Sequence, residues 1–451
     1  MLKSVALPLL LLLLLLLSAP AAWSQAGPRS RPTGPADKPP PPPTRTEIVE
    51  PLRAPATGYA PSFFNRVMDA LVIDLEKGPI LPLPIAEASK DLGLNIGVMP
   101  VWAVWNAQKT GVDYVMAPSV SYNENLGATF GYKQFFFPDE KSIVMLRGSV
   151  SRRVENEAYF YFYRPGVLNS DARFSLDIVH RVTGKPSFYG YGNDSLKADK
   201  ANYAILKEGY EFTASLPVKK HLFVELNHSL YRQQVQAGPV LGVPQVSALY
   251  PADYAAAEKA RLFHANRLSI LYDDTDHPFL PKIGTMASFS ILYSARVLGS
   301  GYNYRTYNAE FKHYYNYKGR GRFVTALRYQ LQFQRGDELP FYAQVQLGES
   351  TGLRMAGDGR FTERGKIVIN LEERITLSRV PYLKFLREVE IAPFIDAGAV
   401  FSDPSDLSTG DLRYGPGLSL RLLLRPQVVA AADLAFGSEG ANMIVRVGYP
   451  F

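Results

Sequence analysis

Phe323-Val324-Thr325-Ala326-Leu327-Arg328-Tyr329-Gln330-Leu331-Gln332-Phe333-Gln334 carries the clearest periodicity in the chain. On an extended backbone Leu327, Tyr329, Leu331 and Phe333 fall on one face, and Arg328, Gln330, Gln332 and Gln334 on the other. One such strand would also suit a soluble sandwich. The same alternation continues from near Gly111 to the terminal Phe451, with Arg, Lys, Gln and Glu opposite aromatic and aliphatic faces. A wall with lipid on one side and a wet lumen on the other requires this pattern. Lipid satisfies no backbone polar group, so an open sheet edge cannot persist in it. The fold class is therefore all-β, a transmembrane antiparallel β-barrel of about sixteen strands, an even number as bacterial barrels prefer.

Counting back from the C-terminus, the alternation predicts strands near 441–451, 427–437, 413–424, 388–402 and 364–377. Earlier ones fall near 321–335, 302–316, 285–297, 260–274, 219–232 and 201–216, then 170–182, 155–165, 142–153, 126–137 and 112–123. Lys219-Lys220 marks a tight turn. The long links 183–200, 233–259 and 336–364 all fall on one side of this count, the extracellular side if both termini are periplasmic.

The N-terminus reads differently. Met1-Leu2-Lys3, the apolar run from Val5 to Leu17 and the small residues up to Ser24 form a secretory signal, residues 1–24, cleaved before Gln25. Residues 25–61 form a proline-rich linker around the run Pro39 to Pro43, an extended segment without a core. Residues 62–94 are expected to hold a periplasmic helix and connector. Ser62 caps the helix, Phe64, Val67, Met68, Leu71 and Leu75 recur at helical spacing, and Gly78 ends it. That helix either docks at the mouth of the barrel or stays loosely ordered in the periplasm. The barrel itself is expected to occupy 95–451.

Composition narrows the chemistry. The 451-residue chain has no cysteine, which removes disulfides, thiolate catalysis and cysteine metal sites. A net charge of +7 comes without a basic stripe or recognition motif, so no nucleic-acid partner is expected. His180, His221, His228, His264, His277 and His313 are scattered, and no G-x-S-x-G or H-E-x-x-H pattern accompanies them. Asp273, Asp274, Asp276 and His277 could be drawn as metal ligands, but acidic residues in such a turn more often cap it. The expectation is a non-enzyme without cofactor or metal, whose partners are outer-membrane lipids and the barrel-assembly machinery.

In the last strand, Met443, Val445, Val447, Tyr449 and Phe451 share one face and Asn442, Arg446 and Gly448 the other. This ending resembles the assembly signal of outer-membrane proteins, with Val447, Tyr449 and Phe451 as its residues. It predicts that Tyr449 and Phe451 face lipid while Arg446 faces the lumen.

Several ordered motifs resemble those of the BamA/TamA-type outer-membrane proteins, also called the bacterial surface antigen family. Phe394-Ile395-Asp396-Ala397-Gly398 matches its F-x-D-x-G strand. Leu353-Arg354-Met355-Ala356-Gly357-Asp358-Gly359-Arg360-Phe361 is similar to its L-R-G-Y-x-x-G-R-F loop, and Asn370-Leu371-Glu372-Glu373-Arg374 to its N-x-E-x-R strand. The turn from Tyr272 to Gly284 and the loop from Phe188 to Asp194 have counterparts as well. Met355 and Ala356 depart from the family's Gly-Tyr, which predicts a differently packed loop tip. No βααββ pattern fits between Thr46 and Leu94, so the chain resembles a barrel-only branch without periplasmic POTRA domains.

The resemblance implies that Arg354 folds back into the barrel to meet acidic residues on the next two strands. Alternation separately turns Lys366, Asn370, Glu372 and Arg374 inward on the first, and Glu388, Glu390, Phe394 and Asp396 on the second. Glu373 points outward. The expected lumenal lock is Arg354 with Glu372 and Asp396. The resemblance implies outer-membrane biogenesis or translocation of protein or lipid, with an unidentified substrate. A passive pore or surface-exposed structural barrel is the reading left open beside it.

Overall fold

The computed structural model describes residues 73–451 except 106–111, 139–141, 168–169, 278–279, 318–321, 380–385, 425–427 and 448. Alternation does what it should: nearly every stretch with apolar residues at every second position is a strand, each antiparallel to its neighbours in sequence. The strands are β1 (Gly78–Ser89), β2 (Gly93–Trp105), β3 (Val112–Asn123), β4 (Gly127–Phe136), β5 (Ile143–Ser151) and β6 (Asn156–Val167). Then follow β7 (Ala172–Thr183), β8 (Ala201–Lys219), β9 (Leu222–Ala237), β10 (Arg261–Asp273), β11 (Gly284–Ser294) and β12 (Tyr304–Asn316). The last six are β13 (Phe323–Gly336), β14 (Gly365–Arg379), β15 (Leu386–Phe401), β16 (Arg413–Leu424), β17 (Val428–Ala435) and β18 (Asn442–Val447). The sheet returns to its start where β18 meets β1, and Ala88 opposite Met443 is the one pair in register there among the described residues.

Two strands thus precede the sixteen expected, and the barrel wall begins at Gly78 rather than near Gly111 or residue 95. The connector assigned to 62–94 is corrected over its described part. Ile73–Leu75 is a short strand hairpinned onto β1, and Gly78 opens β1 instead of ending a helix. Residues 62–72 lie outside the described residues, as do the signal and the linker. Pro79, Pro82 and Pro84 are unusual in a strand, since proline supplies no ladder N–H. They are tolerated because β1 is nearly an edge: β2 pairs with it along its length, whereas β18 meets it at a single pair.

Outward faces carry the apolar belt. Ile96 and Val98 on β2, Val120 and Tyr122 on β3, Leu268 and Ile270 on β10, and Leu418 and Leu420 on β16 are all exposed at two-residue spacing. Side chains of opposite parity form polar networks. On the strand that opened the sequence reading, Arg328 donates to Glu310 (2.7 Å) and Gln330 (2.8 Å), and Gln330 to Asn308 (2.8 Å). Among the described residues no helix is long and apolar enough to cross a membrane.

One end of the barrel carries the long links 184–200, 238–260 and 337–364; the other carries short turns. At the long-loop end Phe188, Tyr203, Val246, Phe263 and Phe341 form an aromatic-rich core that ties the links together.

Candidate functional site

Residues 337–364 leave β13 and fold into the lumen instead of standing over it. Within them Val345–Leu347 and Phe361–Glu363 pair as a small hairpin, and Leu347, Leu353, Met355, Ala356 and Phe361 pack with Val368, Phe394, Val400 and Ala435 from the wall. The substituted loop tip packs through Met355. Its Sδ lies in a slot that exists only because Gly415 and Gly437 have no side chain; a Cβ on them would lie 2.5 and 1.9 Å from the sulfur. Gly357 is needed for a similar reason, since a Cβ there would sit 2.6 Å from Asp91 Oδ1.

This packing carries Arg354 to the middle of the wall. Its Nε and Nη2 donate to the two oxygens of Asp396 (2.8 and 2.7 Å), its Nη1 to Glu372 (3.3 Å) and its backbone N–H to Asp396 (3.1 Å). The guanidinium carbon stands 3.4 Å from the centre of the Phe394 ring. All three ionic side chains are at most 2% exposed. A bidentate guanidinium–carboxylate pair stacked on an aromatic face is the geometry in which arginine outperforms lysine. Asn370 holds Asp396 from the side (2.7 Å) and also donates to the Gly352 carbonyl (2.7 Å).

The three residues expected to meet are thus together, but they are only half of the cluster. Glu372 also accepts from Arg374 (2.7 Å) and from both terminal nitrogens of Arg421 (3.0 and 2.8 Å). Arg421 reaches Glu390 as well (3.0 Å), and Glu390 accepts from the Tyr449 hydroxyl (3.2 Å). Three guanidinium groups face three carboxylates, and the pairing satisfies what burial in a low dielectric would otherwise make costly. Arg421 was legible: Leu418 and Leu420 on the lipid face turn Ser419 and Arg421 inward.

The C-terminus corrects an expectation. Among the described residues the strand covers Asn442–Val447, and Tyr449 and Phe451 enter the lumen instead of facing lipid. The Tyr449 ring lies 3.9 Å from the Arg374 guanidinium and 5.0 Å from that of Arg421, while Phe451 packs with Tyr314, Val324 and Ala326. Cation–π contact and the missing N–H of Pro450 account for the departure from alternation. Beside this tail the turn between β10 and β11 also bends inward. Leu280 packs on Leu423 and Tyr449, the Pro281 carbonyl accepts from Arg374 (3.1 Å), and Lys282 pairs with Glu388 (2.9 Å). In that turn Asp273 and Asp276 accept backbone N–H groups of Thr275, Lys282 and Ile283, which is capping. No cluster of potential metal ligands occurs among the described residues. The side chains of Arg446 and Val447 lie outside the described residues.

A second buried arginine fastens the loop at its outer end. Arg360 pairs with Glu439 (2.7 Å) and donates to the Ser195 hydroxyl and carbonyl (2.8 and 2.9 Å). Asn193 exchanges hydrogen bonds with the Val400 backbone (2.7 and 2.9 Å), docking the link 184–200 on β15. Asp91, in the β1–β2 turn, accepts from the Asp358 N–H (2.7 Å) with Lys200 at 3.7 Å. Burial pushes its carboxyl up to about 7, against the pull of Lys200 and that hydrogen bond.

A family model described as the Omp85 superfamily domain matches residues 142–437. Among solved structures, BamA from Haemophilus ducreyi lacking POTRA domains 1–3 is similar, with a TM-score of 0.49 at 14% identity over 85% of this chain and 76% of that one. CdiB from Acinetobacter baumannii matches with a TM-score of 0.41 at 9% identity, over 83% of this chain and 60% of that one. OccK10 (OpdN) from Pseudomonas aeruginosa matches with a TM-score of 0.34 at 9% identity, over 81% of this chain and 97% of that one. No curated protein matches.

Proposed function

Because the chain belongs to the Omp85 superfamily, we propose that it works in the outer membrane in biogenesis or in the passage of protein or lipid, through a lumen that is closed at rest. The observation that carries this reading is the buried Arg354–Asp396–Glu372 cluster. An inert structural barrel gains nothing from charges held at such desolvation cost, since well-packed apolar residues would serve stability as well. A device that closes and reopens does gain, because ion pairs are directional and can be exchanged for other partners.

In this reading the N-terminus is periplasmic and the long-loop end faces the exterior. Val447, Tyr449 and Phe451 are read by the assembly machinery before folding encloses the last two. The passive pore is less well supported, since side chains enter the lumen from both ends. Two measurements test the proposal. Planar-bilayer recording should give small, flickering currents, and depletion should change the levels of outer-membrane proteins or lipids. A large steady conductance with unchanged membrane composition would establish the passive pore instead.

A further inference from the structure

A groove of about 690 Å³ opens on the outward wall across β4 to β8. Gly148 and Ala158 stand opposite each other in its floor, where neighbouring positions carry Leu146, Phe160 and Ile178. Tyr132 forms one rim and Tyr210 the other. Gly148 is not required by the backbone: a Cβ there would meet only the Glu157 carbonyl, at an ordinary 3.6 Å. The missing side chain therefore leaves space rather than relieving strain.

Ionisable side chains lie along the long-loop edge of this groove, on the same outward face. His180 lines it and its Nδ1 is 3.2 Å from Glu208, and Glu208 accepts from Arg232 at 2.6 Å. Ionisable residues facing lipid are rare unless they have work to do. Their level identifies that work. Glu208 is 11 residues from Lys219 at the short-turn end of β8. At about 3.3 Å per residue and a tilt of roughly 40°, this places it about 28 Å up the wall. The apolar band of such barrels is about 25 Å tall, so the three side chains sit at the headgroup level of the far leaflet. Below them Phe212, Leu216 and Val218 are exposed on β8, as a hydrocarbon-facing strand should be.

We propose that the groove binds a phosphorylated glycolipid, with an acyl chain lying over Gly148 and Ala158 and the headgroup held by Arg232, Glu208 and His180. The bond to Glu208 uses one of the five guanidinium donors of Arg232, leaving others for a phosphate. The carboxylate and imidazole supply the acceptors that sugar hydroxyls need. A cation beside acceptors suits a phosphorylated sugar better than a bare anion or an ammonium headgroup. The proposal rests on the outer-membrane placement and orientation given above.

The full chain, purified from membranes in mild detergent, is offered hexa-acylated lipid A or phosphatidylethanolamine, and bound lipid is counted by native mass spectrometry. Wild type should retain lipid A in preference to phosphatidylethanolamine. Gly148→Phe, which fills the groove, and Arg232→Ala should each weaken retention about tenfold while the barrel stays folded by heat-modifiability on gels. Undiminished lipid A retention in both variants, or preference for phosphatidylethanolamine, would overturn the proposal. Failure of the membrane placement itself would show separately, as absence of the chain from the outer-membrane fraction.

Discussion

At the scale of single residues, Glu372 has the most demanding position. It accepts from Arg354, Arg374 and Arg421 while fully buried. Arg354→Ala and Asp396→Ala each leave a buried charge uncompensated, at a cost of about 3–5 kcal/mol. The two substitutions break one interaction, so the double variant should be little worse than either single one. Thermal unfolding followed by heat-modifiability, with limited proteolysis of the 337–364 loop, checks both statements; simple additivity would mean that the residues act separately. Asp91 makes a different case, because its carboxyl is raised to about 7 from 3.8 by burial. An acid with a raised folded pKa stabilises below its unfolded value, and that contribution is lost as pH rises toward 7. Wild type should therefore lose stability between pH 5 and 7. Asp91→Asn keeps an acceptor for the Asp358 N–H and should flatten that slope. Lys90, lowered to about 8 by burial, acts between pH 8 and 10.5 and leaves this window clear. An unchanged slope in the variant would assign the pH dependence elsewhere.

At the scale of elements, the strands divide by how their environment is written in sequence. From Val112 onward each has lipid on one face and polar lumen on the other, so period two is plain, and all sixteen expected strands are present. β1 was illegible because Pro79, Pro82 and Pro84 obscure it, and only its place at the seam makes them acceptable. Glu372 and Asp396 were orientable from alternation once Leu371 and Ile395 were assigned to lipid, and both of those are exposed, whereas Arg354 was placed by the family resemblance. What alternation could not give was the last few residues, because contacts in the lumen decide where they go once the ladder ends. Tyr449 and Phe451 have two successive environments in this view, solvent during export and then the lumen. Deleting Phe451 should lower the yield of folded protein in the outer membrane. It should also loosen the short-turn end, since the ring packs on Tyr314 and Val324. Hydrogen exchange on β12 and β13 near those residues separates the two effects. Normal yield with normal protection would remove both roles.

At the scale of the whole molecule, the two closures are one connected system. The loop enters from the long-loop end and ends at Arg354; the tail and the 274–283 turn enter from the other end and reach Tyr449 and Lys282. Glu372 lies between them, bonded to Arg354 on one side and to Arg374 and Arg421 on the other, and Arg421 continues through Glu390 to Tyr449. The remainder of the lumen, along β5 to β10, is lined by more exposed pairs such as Arg147–Glu157 and Arg267–Glu211. Releasing one end alone leaves the other in place. Arg354→Ala should therefore produce more frequent brief openings, and Lys282→Ala with residues 449–451 deleted should behave similarly. Only the combination frees both ends, and it should give a steady conductance well above the sum of the two. Single-channel recording of the four proteins in one lipid mixture measures this directly. A fully open channel from Arg354→Ala alone would mean that the tail and the 274–283 turn do not obstruct the lumen, and that the loop is its only closure.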